Sequence, residues 1–406
     1  MKTIDVLIIG AGPAGLMAGA QIKNKSVILL DQSEKTSLKL LMSGAGQCNF
    51  THEGDLKFFL EQYNGHKAFL KVAFKQFFNE DACAFFEKQG VATMVREDGK
   101  IFPKSMRAED IKSALIHINE RQGHQLHSGE CVKDVQIVDG GFQIITSHGA
   151  YHATNLIGAF GGCSYPTTGS DGSLFQLFKG LGHTIMPLRP ALSPVYTKPN
   201  ALTGLQGLSF KDATVDCFRE NQPVGSYNGD LLITHFGLSG PVVLDNSRFF
   251  RVGDQLRVQF GTVDRKSLEQ YLIHLANTSG KLPIASAFKG LPYPKRLVEF
   301  LLDGSSIDKT KPISELSKKE RHELLGFFCA YELLIDYVGG FNVAMATTGG
   351  VSVEELNRKT MASKIQEGLF FVGECVDIDG NTGGYNIQWA LTSGAIAGRE
   401  IDNLSQ

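Results

Sequence analysis

Apolar residues run almost without a break through TIDVLIIG (3–10), give way to glycines, and resume in SVILLD (26–31). Continuous β-branched and aliphatic runs of this length predict strands buried on both faces of a parallel sheet. LMAGAQIK (16–23) lies between them and predicts a helix, so the chain opens with a βαβ unit. Residues 55–90 read as helical, with a phenylalanine-rich stripe in FLKVAFKQFFNEDACAFFEKQ that suits a core face. EDGK (97–100) predicts a hairpin-type turn leading into the short strand IFP. Residues 106–122 predict an amphipathic helix with Ile111, Leu115 and Ile118 on one face. NLIGAFGG (155–162) predicts a further buried strand. After LRPALSP (188–194) the pattern turns strand-like in ATVDCF, DLLITH and DQLRVQF, then helical and charged in ISELSKKERHELLGFF. FNVAMATTGGVSV (341–353) returns to the first pattern. The strand LFFVGE, the polar loop DIDGNTGGYN and the small-residue helix IQWALTSGAIAGREI close the chain. The expected organisation is a discontinuous α/β domain, residues 1–190 and 341–406, interrupted by a mainly β insert with helices at 191–340. There is no internal repeat or low-complexity tract.

Composition narrows the picture. The 406 residues are 42% hydrophobic and carry a formal net charge of -2 with no long basic run. A sequence-independent nucleic-acid binder would show a basic stripe, so no nucleic-acid partner is expected. The seven cysteines are scattered and form no C-x-x-C pair, which speaks against a zinc knuckle, another metal site or a dithiol redox centre. Scattered thiols fit a reducing compartment. The N-terminal apolar stretch is broken by Asp5, glycines and a proline, and reads as a buried strand rather than a signal peptide. No apolar run is long enough to span a bilayer. A cytoplasmic protein without a membrane partner is expected; its oligomeric state is left open.

The chemistry starts at Gly10-x-Gly12-x-x-Gly15, between the first strand and helix, with Asp31 ending the second strand about 20 residues on. Gly10 permits the tight turn, Gly12 admits a pyrophosphate close to the backbone, and Gly15 lets helix and strand pack. The helix N-terminus offers free N–H groups and a positive dipole end, and Asp31 can accept from a ribose diol. A second glycine-rich turn, LKLLMSGAGQCNFTH (38–52), carries Lys39, Ser43, Gln47, Cys48 and Asn49, and its small residues would let a flat ring lie against the backbone. A third, ATNLIGAFGGCSYPTTGSDGS (153–173), leads through Gly161 at the carboxyl end of a strand, where doubly wound folds bind ligands. The fourth is the C-terminal strand, Gly373-Glu374, the glycine loop and the last helix. A cofactor held at both ends of the chain needs the ends to meet in space. FAD proteins of the glutathione-reductase-like type do this, whereas an NAD-only domain has no need of the second element, so the cofactor expected is FAD. No second G-x-G-x-x-G follows a strand, so NAD(P)H would act only as a transient electron donor docking on the flavin.

These motifs resemble one family over nearly the whole chain: the BaiN-like and aminoacetone-oxidase-like FAD-binding flavoproteins of bacteria. GAGPAGLMAG, KLLMSGAGQCNFT, GKIFPKSMRAEDI, GGCSYPTTGS, LLITHFGLSGPVVL and GLFFVGECVDIDGNTGGYNIQWALTSG match its characteristic stretches in order. The resemblance implies a glutathione-reductase-like, FAD-binding Rossmann domain, discontinuous around an insert. It implies Gly12 and Ala14 at the pyrophosphate, Asp31 at the adenosine ribose, and Val132 as a backbone contact to adenine. Ser43, Gly44, Gly46, Gln47, Cys48 and Asn49 would lie near the flavin. Glu374, Asp377, Asn386 and Ile387 would hold the ribityl chain and ring. Gly10, Gly15, Gln32, Lys39, Gly161, Gly373 and Gly384 complete the candidate cofactor set. Three departures stand out: Gln47 where the family usually has arginine, Ala45 for a glycine, and GSDGS for GSTGDG.

The expected function is an FAD-dependent oxidoreductase acting by hydride transfer on a small organic substrate. One mode is NAD(P)H-driven reduction of an activated C=C bond. The alternatives are an amine-type oxidase using oxygen and a non-catalytic FAD-binding redox sensor. A flavin-dependent RNA-modifying enzyme is a further rival, against which the net charge argues. Candidate catalytic groups are His235 in THFGLSGPVVL, Tyr385 and Cys48; Tyr165, like Tyr385, could donate a proton. Each also has a plain reading: a loop histidine, tyrosines packed against the cofactor, and a small buried hydrophobe. In the same segment Ser239 and Pro241 predict an N-cap and an early helix position.

Overall fold

The computed structural model describes residues 2–198 and 201–404. The chain divides into two compact units: residues up to Ala191 with those from Phe341 onward, and Leu192–Gly340. In the first unit β1 (Lys2–Ile9) pairs in parallel with β2 (Val27–Asp31) on one side and with the strand Ala150–Gly158 on the other. The helix α1 (Pro13–Gln21) makes the crossover. Gln125–Ser128 extends the sheet beyond β2.

The strand Ala150–Gly158 has a divided outer edge. Its first half pairs antiparallel with Gly141–Thr146, which in turn pairs with Val132–Val138. Its last residues pair in parallel with Leu369–Phe371. Ile9 faces Gly158, Gly158 faces Phe371, and Asp31 faces Ser128, so the parallel strands end at one level. Both faces are covered: Val6–Ile9 and Val27–Leu30 are buried, which accounts for their unalternating apolar sequence. The glycines of the C-terminal helix, Tyr385–Asn403, have a packing cause. A Cβ on Gly394 would stand 2.3 Å from the Ala14 carbonyl oxygen and one on Gly398 2.2 Å from that of Ala18, so this helix lies backbone to backbone on α1.

The long helical reading of 55–90 resolves into three helices, Leu56–Leu60, Lys67–Phe74 and Asn79–Lys88. They break at Gly65, with φ of +86°, and at Phe77–Phe78, where Asp81 accepts from the Phe78 amide at 2.7 Å. The helix expected at 106–122 spans Ala108–Arg121 and buries Ile111 and Leu115. The strand expected to end at Gly373-Glu374 stops at Phe371, and a single 3-10 turn follows.

The second unit is a closed six-stranded antiparallel barrel. Its strands, in spatial order, are Val195–Thr197, Gly237–Ser239, Gln222–Ile233, Ser209–Arg219, Gln255–Gln259 and Tyr331–Val338. Helices Arg265–Thr278, Lys295–Gly304 and Lys318–Cys329 share its apolar core through Leu268, Leu272, Leu297, Leu301, Leu324 and Phe328. Pro241 is the first residue of a short helix as expected, but its N-cap is Gly240; Ser239 ends a strand instead. Among the described residues no helix is long and apolar enough to cross a membrane.

Candidate functional site

The first candidate element is the turn from β1 into α1. Gly10 sits at φ +108°, and a Cβ there would meet the Ala159 carbonyl oxygen at 2.3 Å. Gly15 lies as tightly on Gly10. Gly12 differs: a Cβ added to it would have nothing within 4 Å. Gly12 precedes α1, no side chain caps that helix, and Ala14 lies in its first turn, so unpaired amides adjoin open space. Asp31 at the end of β2 accepts from the Ala11 amide at 3.0 Å and the Ser33 amide at 2.9 Å. Burial pushes its carboxyl up from the ordinary aspartate range, against the pull of those bonds. Amides of Gly129 and Glu130 bond back to Ser33 and Asp31, which sets Val132 beside this strand end. Gln32 acts within the protein itself, since its amide donates to the Gly169 carbonyl at 2.6 Å and pins the loop that follows Gly161.

The two chain ends meet at Gly373. Its N–H donates to Ser393 Oγ at 2.9 Å, its carbonyl accepts from the indole of Trp389 at 3.0 Å, and a Cβ on it would lie 2.7 Å from that of Ala14. The neighbouring Glu374 carboxylate accepts from Lys39 Nζ at 2.8 and 2.6 Å, from Ser164 Oγ at 3.0 Å and from the Thr347 amide at 2.8 Å. Lys39 also donates to Ser164, and the Thr347 hydroxyl accepts from the Cys163 and Ser164 amides. The sequence points to Lys39 and to Glu374, but not to their pairing. It does not point to Thr347, because nothing in ATTGG distinguishes one threonine by spacing.

The turn of residues 43–49 is a left-handed cradle. Gly44, Ala45 and Cys48 have φ of +55°, +55° and +59°, and Gly46 +88°. Ser43 Oγ donates to the Leu40 carbonyl, while its own carbonyl accepts from the Cys48 amide; the Gln47 amide closes on Gly44. Two oxygens beyond the turn, Asn49 Oδ1 and Thr51 Oγ1, are buried without a hydrogen-bond partner. Gly384, at φ +93°, packs on the Thr51 backbone and precedes the C-terminal helix, whose N-terminus no side chain caps. Ile387 is partly buried in that helix's first turn.

Several side chains depart from the roles expected of them. Cys48 is fully buried, and desolvation pushes its thiol up to about 12, which disfavours the thiolate a nucleophile needs and suits a side chain that packs the turn. Tyr385 is buried in an aromatic cluster, stacked on His52 at 5.5 Å and edge-on to Phe59 at 5.2 Å, a packing role. The Asn386 side chain is engaged at both ends by the Gly380 backbone, at 2.9 Å each way, and so shapes the 376–384 loop. Tyr165 is half-buried on the loop past Gly161, with its amide bonded to the Phe341 carbonyl and its phenol raised by burial. His235 is exposed on the turn between Thr234 and Gly237 of the barrel, edge-on to Phe236 at 4.7 Å. Asp377 is legible in the sequence, but its partner is not: His66 Nε2 stands 3.4 Å from its carboxylate.

The HI0933-like protein Rossmann domain family matches residues 4–400. The chain belongs to the HI0933-like family. It is 30% identical over 403 residues to the 3-dehydro-bile acid delta(4,6)-reductase of Clostridium scindens, covering 97% of each chain. It is 31% identical over 397 residues to the ribosomal RNA dihydrouridine synthase of Haemophilus influenzae, covering 95% of this chain and 96% of the relative. In fold it is similar to the 3-ketosteroid-delta4-(5alpha)-dehydrogenase of Rhodococcus jostii RHA1, with a TM-score of 0.54 at 14% identity, over 99% of this chain and 97% of that one.

The family and its fold make this an FAD-dependent oxidoreductase, and the residues present fit that cofactor. The open space at Gly12 admits a diphosphate at an uncapped helix start, and the buried, unpartnered oxygens of Asn49 and Thr51 suit the polar edge of a flavin.

Proposed function

We propose that this enzyme reduces a carbon–carbon double bond conjugated to a carbonyl, with a small cyclic molecule as substrate and NAD(P)H as a transient electron donor. The observation that carries the reading is the shared chemistry of the two relatives. Both names denote saturation of a ring double bond, in a 3-dehydro bile acid or in the base of a uridine. In both rings a conjugated carbonyl makes the distal carbon electrophilic. FAD bound here would supply the hydride once NAD(P)H had reduced it. In this reading the first amides of α1 hold the diphosphate and Asp31 the adenosine ribose. Lys39, Ser164 and Glu374 hold the ribityl side. The 43–49 turn, Asn49, Thr51 and the amides of Gly384–Ile387 hold the ring.

A free small molecule is favoured over RNA because the chain has net charge -2 and no basic run. Uridine in RNA is the second reading, favoured by the 31% identity to the dihydrouridine synthase. The test is anaerobic titration of the yellow protein with NADH and NADPH, then mixing of the reduced protein with 4-androstene-3,17-dione or with a ribosomal RNA transcript. Return of the oxidised-flavin band with the enone supports the proposal, and its return with RNA alone selects the second reading. Reduction by amines with oxygen uptake would replace both with an oxidase. A flavin that resists every donor would make the protein a redox sensor.

A further inference from the structure

The outer face of the barrel carries a row of aromatic rings at the strand Val195–Thr197. Val195 and Thr197 are buried, so the alternation of the strand turns Tyr196 outward. Tyr196 is flanked in register by Gly237 on one side and by Tyr337 on the other. Gly237 brings no side chain, and a Cβ there would stand 2.3 Å from the Val195 carbonyl oxygen. The neighbouring Phe236 stacks its ring on Tyr196, at 4.4 Å and 22°. On the other flank the pairing register shifts between Tyr196 and Thr197. Leu333 and Ile335 are buried, and unbroken alternation would bury Tyr337 with them. The shift turns it out instead, 50% exposed and edge-on to Tyr196 at 5.4 Å. The exposed His235 ends the row, edge-on to Phe236 at 4.7 Å. Covering a strand glycine accounts for Tyr196 and Phe236. It does not account for Tyr337, whose ring an irregularity in the strand holds at the surface.

We propose that Tyr196, Phe236 and Tyr337 form a platform that binds the flat unsaturated ring of the substrate. The proposal rests on the enone reading above and names a subsite for its ring. One stacked pair and one edge-on ring offer both faces and edges to a flat apolar molecule. Among the described residues no hydrogen bond engages the phenol of Tyr196 or of Tyr337, so each can donate to a carbonyl oxygen. An enone supplies both halves of that match, a flat ring and a strong acceptor. Tyr196, His235, Phe236 and Tyr337 include no lysine or arginine, which suits an uncharged molecule rather than a phosphate backbone.

The experiment is equilibrium dialysis of the flavin-loaded, full-length protein against radiolabelled 4-androstene-3,17-dione, with KM and kcat measured for the same enone and the accepted nicotinamide donor. The variants are Tyr337→Ala, Phe236→Ala and, as a control, Phe249→Ala, which removes a ring 45% exposed on the turn Ser247–Phe249 outside the row. Expected in Tyr337→Ala and Phe236→Ala is a dissociation constant and a KM each raised about tenfold, the worth of one ring contact, with kcat little changed. Phe249→Ala should behave as wild type. Should Phe236→Ala fail to fold, Tyr337→Ala still decides, because its ring leaves no cavity in the core. Unchanged binding in Tyr337→Ala, or an equal loss in Phe249→Ala, would overturn this inference alone. A wild type that the enone neither binds nor reoxidises would overturn the enone reading and the platform with it. A loss seen only in turnover of an RNA transcript would assign the platform to a nucleobase and overturn the enone as its occupant.

Discussion

Gly12 and Gly394 make opposite predictions from the same substitution. A Cβ on Gly12 has no atom within 4 Å, and its φ of -79° is one that alanine adopts readily. Gly12→Ala therefore loses only a modest N-cap preference, about 0.5 kcal/mol of apoprotein stability. The same methyl stands where the diphosphate is assigned to approach the start of α1. There it should weaken FAD binding by about 100-fold, or about 2.7 kcal/mol. Gly394→Ala puts a Cβ 2.3 Å from the Ala14 carbonyl oxygen, against a floor of 3.0 Å for real contacts, so the two helices must separate by about 0.7 Å. The obstacle is backbone on both sides and has no rotamer to relieve it. Overpacking of this kind costs about 1–3 kcal/mol. Urea denaturation of the apoproteins and FAD titration of the same samples measure the two terms. The expectation is Gly12→Ala near wild type in stability and poor in FAD, with Gly394→Ala clearly less stable. Full FAD affinity in Gly12→Ala would refute the placement of the diphosphate. A Gly394→Ala protein as stable as wild type would refute the direct backbone contact between the helices.

Asp31→Ala should loosen FAD and also free the Ala11 and Ser33 amides, whereas Asp31→Asn keeps one acceptor and should fall between the two in FAD titration. Lys39→Met leaves the Glu374 carboxylate without its cation; adding Glu374→Gln should recover part of the lost stability, with a coupling of about 1–2 kcal/mol in a thermal-melt cycle. Cys48→Ala should leave flavin reduction by the accepted donor unchanged, and native Cys48 should resist iodoacetamide at pH 8 until the protein is unfolded, because its thiol lies near 12. In the barrel, burial raises the Asp254 carboxyl, but the bonds from Arg219 and the Arg251 amide outweigh it and hold the group below the ordinary aspartate range. The stability it contributes is present above the unfolded value near 3.9 and is lost as pH falls below it. Asp254→Ala should cost about 3 kcal/mol in urea denaturation at pH 7.

What could be read from the chain alone was what short-range sterics and periodicity encode. A short, β-branched, unalternating apolar run that ends in glycines fits a strand covered on both faces. Glycines at 10, 12 and 15 followed by an acid at 31 admit one compact βαβ solution. The small residues of the last helix suit close packing, but only the structure names α1 as the partner. The αL turn at 43–49 was visible in its glycines, yet Ala45 and Cys48 hold the same left-handed backbone without that signal. Tertiary structure alone decided the rest. Lys39 meets Glu374 across 335 residues because the strand order brings Leu369–Phe371 beside Ala150–Gly158, next to β1. His66 meets Asp377 because residues 62–64, inside a stretch that reads as helical, pair with a glycine loop instead. Burial fixed the state of the Cys48 thiol, and burial is a property of everything packed around a residue. The sequence carries such pairings only through the sum of many weak contacts, so no local pattern announces them, while the fold states each one directly as a distance.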